Sequence, residues 1–205
     1  PLDDVNISPN NQKYRKDKVY MKTTLINKDS RMGRPSASGI FRLAQCPGSW
    51  LAESKCPPEE ESDDATTGTY LHDCMEHNRT PDDPEQAELI EFCFQTEGEL
   101  VEDIFDDEAS NLTIIREERM IATDEDGNVI FSGKPDKVYY SPLKDIALIL
   151  DYKFGRLAVD TVDQNRQLAA LAVLLRYKMG SCPSTIFAGI IQPYVSRRKP
   201  QLVKF

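Results

Sequence analysis

No run of apolar residues in this 205-residue chain is long enough to cross a membrane, so no membrane partner is expected. The N-terminus is polar and charged and has no apolar core of the secretory kind. The chain starts at Pro1, and an upstream segment is left open. No two of the five cysteines (Cys46, Cys56, Cys74, Cys93 and Cys182) show Cys-x-x-Cys spacing. An odd, scattered set reads as reduced thiols, so a cytoplasmic protein without a zinc site is expected. His72 and His77 are the only histidines, which keeps the list of imidazole ligands short.

Basic charge is almost missing from one segment. Residues 51–110 carry two Lys+Arg against twenty Asp+Glu. Residues 1–50 have nine against four, and residues 111–205 have fourteen against ten. The whole-chain net charge of −9 therefore comes from the middle and says little about the flanks. Read alone, the acidic block is a solvated helical face. A sharper reading is a surface that imitates or repels DNA.

What remains is a soluble composition, 40% hydrophobic and 29% charged, with a patterned order. Residues 1–34 read as a loose arm with a strand at 19–26. Ser36 or Ser38 caps a short helix that stops at Cys46-Pro47-Gly48, and residues 49–54 start another turn. Residues 55–66 read as a loop, 67–78 as a helix and 85–107 as a long acidic amphipathic helix. From residue 112 the hydrophobic period changes to two. Strands are expected at 112–121, at 129–140 (interrupted by Gly133 and Pro135) and at 146–153. A helix at 162–179 and a strand at 186–193 complete a β-α-β unit, so the fold class is α/β. The expected organisation is an arm at 1–35 and a domain at 36–205, helical to residue 110 and sheet-based beyond it.

Chemistry concentrates at two strand ends. If the strands carrying Asp136 and Asp151 are neighbours, their carboxylates converge and repel. A divalent cation relieves that repulsion and prefers oxygen ligands. Lys153 leaves its strand on the same face as Asp151. A cation and an ammonium together supply what phosphodiester hydrolysis needs.

This pattern, an Asp, a gap and then Asp-x-Lys, resembles the PD-(D/E)xK nuclease superfamily. Gly68-Thr69-Tyr70-Leu71-His72 is similar to the Gly-x-x-x-His motif of its RecB-like branch. Cys46-Pro47-Gly48-Ser49 and Asp151-Tyr152-Lys153-Phe154-Gly155 resemble phage and prophage members of that branch. The resemblance covers roughly residues 36–195. Gln167 fits the branch's helical Gln, but Leu171 stands where a Tyr is usual.

The resemblance implies a restriction-endonuclease-like core, a central mixed sheet flanked by helices with an acidic helical N-terminal part. His72, Asp136, Asp151 and the Tyr152 carbonyl would hold Mg2+ or Mn2+. Asp136, Asp151 and Lys153 would be catalytic, with Lys153 placing the attacking water. Gln167, Lys134, Lys137, Arg156 and Arg166 would meet substrate, and Glu117 or Glu118 would be accessory. The expected activity is DNA hydrolysis, by an exonuclease of phage or bacterial recombination or repair. A single-strand annealing or recombination protein is the expected partner, and the oligomeric state is left open, a homo-oligomer ringing DNA being one option that no residue demands. Cys46 would suit the first iron–sulfur position of some relatives, but only Cys182 lies late in the chain, so no cluster is expected. The rival readings are a nuclease fold used only to bind or scaffold DNA, and an acidic DNA-mimicking inhibitor.

Overall fold

In the computed structural model, residues 33–57, 62–180 and 183–205 are described, and they belong to the unit Arg31–Phe205. The expected strand at 19–26 and Cys182 lie outside the described residues.

Two short helices, α1 (Ile40–Gln45) and α2 (Ser49–Glu53), follow a 3-10 turn at Ala37–Gly39. Helix α3 (Asp63–His77) begins within the expected loop. Ser62 accepts a hydrogen bond from the Ala65 N–H at 3.2 Å, and Asp63 and Asp64 suit the positive end of the helix dipole. An acidic run that reads as loop is here a helix start. Helix α4 (Pro84–Phe105) has Asp83 as N-cap and Pro84 at its first position, where a missing N–H matters least.

The two long strands expected at 112–121 and 129–140 each break in the middle. The first becomes β1 (Thr113–Arg116) and β2 (Met120–Thr123), and the second β3 (Val129–Gly133) and β4 (Lys137–Ser141). β2 pairs with β3 as a separate two-stranded sheet, and β1 pairs with β4 in the main one. The breaks coincide with Glu117, at φ 48°, and with Pro135, which has no N–H to donate. Asp124 closes the β2–β3 turn by accepting from the N–H groups of Asp126 and Asn128.

The main sheet also holds β5 (Ile146–Tyr152), β6 (Thr185–Ile191) and β7 (Leu202–Lys204), in the order β1-β4-β5-β6-β7. β5 and β6 are parallel, and the other neighbours are antiparallel. Helix α5 (Arg166–Met179) makes the crossover, starting later than the sequence pattern indicates because Asn165 caps it. β7, too short for a periodic signal, was not expected.

Alternation along the strands builds two cores. Val138, Tyr140, Ala147, Ile149, Ile186 and Ala188 face α5, whose Leu168, Leu171 and Leu175 are fully buried. Tyr139, Leu148, Leu150 and Tyr152 face α3 and α4. Gly133 is needed where β3 meets α5. A Cβ there would lie 2.7 Å from Leu174 Cδ1, 2.8 Å from Leu171 Cδ2 and 2.9 Å from the Ala37 Cβ. The result is a mixed α/β fold with a central mixed sheet flanked by helices, as expected for a restriction-endonuclease-like core.

Candidate active site

Register brings the two aspartates together. Lys137 is paired with Leu150, so one step further the β4–β5 ladder sets Asp136 opposite Asp151. β4 has ended there, and the Tyr152 N–H donates instead to Asp136 Oδ2 at 2.7 Å. Asp151 is 2% exposed. Its Oδ1 accepts from Gln167 Nε2 at 2.8 Å, and Lys153 Nζ lies 2.7 Å from its Oδ2. That Oδ2 is buried, and the ammonium is its close charged neighbour. The ammonium thus offsets the carboxylate's charge.

Both carboxyls are pushed up. Burial raises Asp136 well above the usual range, the Asp151 charge adds to it, and the Tyr152 N–H opposes it. Burial also raises Asp151, against the pull of Lys153. His72, on α3, moves the other way. Burial lowers it first and the Lys153 charge next, which favours the neutral imidazole that ligates metals.

His72 Nδ1 lies 3.7 Å from Asp136 Oδ2, and Glu117 joins them. One ligand atom from each of His72, Glu117 and Asp136 lies within 4.8 Å of the others. Glu117 holds a left-handed backbone, which costs about 1–3 kcal/mol in a non-glycine residue. Its N–H donates to the Asp136 carbonyl at 3.2 Å, and its carboxylate pairs with Lys134. Nitrogen and carboxylate oxygens around one point, with the Asp151 carboxylate beside them, fit a divalent ion.

The remaining expected residues separate clearly. Of Tyr152, the backbone N–H donates to Asp136, while the hydroxyl turns to the opposite face of the sheet and donates to Glu97. Lys137 is corrected from a phosphate contact. It is 3% exposed, and its ammonium pairs with Glu97 at 2.6 Å. Glu97 also accepts from Tyr139, and beside it burial followed by the Glu97 charge pushes the Cys93 thiol up to about 12. Glu118 is corrected as well, since it is exposed and pairs with Lys178. The neighbouring Glu117 is the acid that reaches the site. Gln167 is engaged with Asp151 and with Lys153, whose Nζ donates to its Oε1 at 3.3 Å. Lys134, Arg156 and Arg166 are exposed, with Arg156 over the Tyr194 ring and Arg166 over Phe41. His77 bonds to Asp73 within its own helix.

Sequence reasoning missed Glu97 and Tyr194. A lone glutamate in an acidic helix and a lone tyrosine after a strand carry no pattern of their own. Only the spacing of Glu97 on the apolar stripe of α4, four residues after Cys93, could have marked it as inward-facing.

A family model described as the PD-(D/E)XK nuclease superfamily matches residues 34–193. No curated protein matches the chain. Among solved structures, "Crystal structure of SSO0001" is similar at 12% identity and a TM-score of 0.30, over 80% of this chain and 75% of that one.

Proposed function

The chain belongs to the PD-(D/E)XK nuclease superfamily, and from that premise we propose that it is a Mg2+- or Mn2+-dependent deoxyribonuclease. One observation carries the reading: His72, Glu117 and Asp136 converge beside the buried Asp151–Lys153–Gln167 group.

A divalent ion held by His72, Asp136, Asp151 and Glu117 would supply Lewis acidity and an activated water. The chain's own residues do the rest. Gln167 fixes the Asp151 carboxylate and steadies Lys153 from the same amide. Lys153 then places an ammonium where a water is oriented and where charge grows on the phosphate. Tyr152 locks Asp136 through its N–H. Neutral His72 offers a lone pair without adding positive charge. Lys134 and Arg166 are exposed cations that suit backbone phosphates and confer affinity without reading sequence.

The finer reading is an exonuclease of phage or bacterial recombination or repair, acting in the cytoplasm. Its partner would be an annealing or recombination protein. It rests on the similarity of Gly68…His72 and Asp151…Gly155 to the RecB-like branch.

The test is digestion of linear and closed-circular DNA, double- and single-stranded, with Mg2+ or Mn2+ and with EDTA. Cleavage that needs metal and is lost in Asp151→Ala is expected, and closed circles should survive an exonuclease. Undiminished cleavage by Asp151→Ala would remove the assignment.

A further inference from the structure

The carboxyl ends of the parallel neighbours β5 and β6 lie side by side, and the loops that leave them form a second cleft. The cleft measures about 180 Å³ and is lined in part by Asp64, Asp83, Glu85, Phe154, Arg156 and Tyr194.

Its aromatic wall is built, not incidental. Gln192 sits just past β6 and its Nε2 donates to the carbonyls of Gly155 at 3.1 Å and Leu157 at 2.6 Å. Its Oε1 accepts from the Val159 N–H at 3.3 Å. The same residue's carbonyl accepts from Val195 and Ser196, closing the turn that carries Tyr194. One side chain and its backbone thus tie both loops together. The Arg156 guanidinium is set over the Tyr194 ring at 4.8 Å.

The lining is also acidic, with carboxylates held at two helix starts. Asp64 lies in the first turn of α3, and Glu85 in the first turn of α4. Asp83 caps α4, its Oδ1 accepting from Gln86 at 2.9 Å. Three carboxylates against one guanidinium in the lining leave a net negative cleft that repels a phosphate. They accept hydrogen bonds from a neutral ring that carries N–H groups. Planar rings of that kind stack on tyrosine and on arginine.

The cleft also adjoins the catalytic group. Phe154 lines it, while the Phe154 ring meets His72 edge-on at 5.1 Å.

We propose that this cleft is a nucleobase subsite, holding a base of the substrate strand against Arg156 and Tyr194 with its N–H donors toward Asp64, Asp83 and Glu85. The identity of the strand rests on the nuclease reading; the base-binding chemistry of the cleft does not.

The probe is a short single-stranded oligodeoxynucleotide with 2-aminopurine moved through successive positions, mixed with the full chain in EDTA. Stacking quenches 2-aminopurine, so quenching confined to one or two positions is expected. Tyr194→Ala should remove the quench and weaken binding on the order of ten-fold, while Tyr194→Phe keeps both. Should Tyr194→Ala fail to fold by circular dichroism, Arg156→Ala, altered at an exposed side chain, gives the same readout. Quenching unchanged in the folded variants, or absent from the wild type, would overturn the subsite. Wild type that cleaves DNA without quenching would sink the subsite alone. Quenching without cleavage under any metal would sink the nuclease reading alone.

Discussion

Gln167 Nε2 donates a 2.8 Å hydrogen bond to Asp151 Oδ1. That contact ties the first turn of α5 to the end of β5, and the same amide accepts from Lys153. A helical glutamine thus orients both members of the Asp-x-Lys pair. Gln167→Ala should weaken Mn2+ binding about 10–100-fold, as loss of an outer-shell partner does, without a change in fold. Titration calorimetry and circular dichroism read the two effects separately. Unaltered Mn2+ affinity would show that Gln167 serves only the substrate.

Lys153 Nζ lies 2.7 Å from Asp151 Oδ2 and also donates to Gln167. An ammonium held for transition-state charge should matter to kcat more than to KM. Lys153→Ala is expected to lower kcat on the order of 10²–10³-fold with KM little changed, read from initial rates on linear DNA. A loss confined to KM would make it a binding lysine.

The two raised carboxyls fix a pH dependence. In the metal-free protein, folded Asp136 and Asp151 hold protons at pH values where the unfolded chain has released them. Stability therefore falls as pH rises from the ordinary carboxylate range through the raised values. Mn2+ favours the ionised pair, so it should stabilise more as pH rises and flatten the fall. His72, lowered by burial, contributes with the opposite sign just below the ordinary imidazole range. Thermal midpoints against pH in EDTA and in Mn2+ test this. Asp136→Asn should flatten the EDTA profile, and a profile that keeps its slope in that variant would refute the cause.

Glu97 answers for a buried cation. Lys137 is paired with it inside the core between α4 and the sheet, where two tyrosine hydroxyls also donate to it. Glu97→Ala leaves that ammonium uncompensated and should cost about 3–5 kcal/mol in denaturant unfolding. The double variant Glu97→Gln with Lys137→Met should recover most of the loss, because no lone charge then remains buried. A double variant as unstable as the single would mean that the hydroxyl network, not the charge, dominates.

Gly133 tests the packing of β3 on α5. Gly133→Ala places a methyl under 3.0 Å from Leu171, Leu174 and Ala37, and overpacking of this kind costs about 1–3 kcal/mol. The same measurement on Gly68→Ala, where a Cβ meets nothing within 4 Å, is the control.

The sequence by itself determined what each residue is locally suited to do. Periodicity marked α4, α5, β5 and β6, because burial on one or both faces writes itself into spacing. Asp136, Asp151 and Lys153 could be picked out because strand ends and face alternation are local geometry. Tertiary structure decided everything that depends on partners distant in the chain. It broke both hairpin arms, at Glu117 and Pro135, and so turned Glu117 rather than Glu118 toward His72 and Asp136. It buried Lys137 on Glu97, forty positions away, where the sequence showed only one more lysine beside a motif. It also set Arg156 against Tyr194, through loops that share no pattern. A charge reads the same in sequence whether water or a counter-ion surrounds it, and only the packed chain supplies that surrounding.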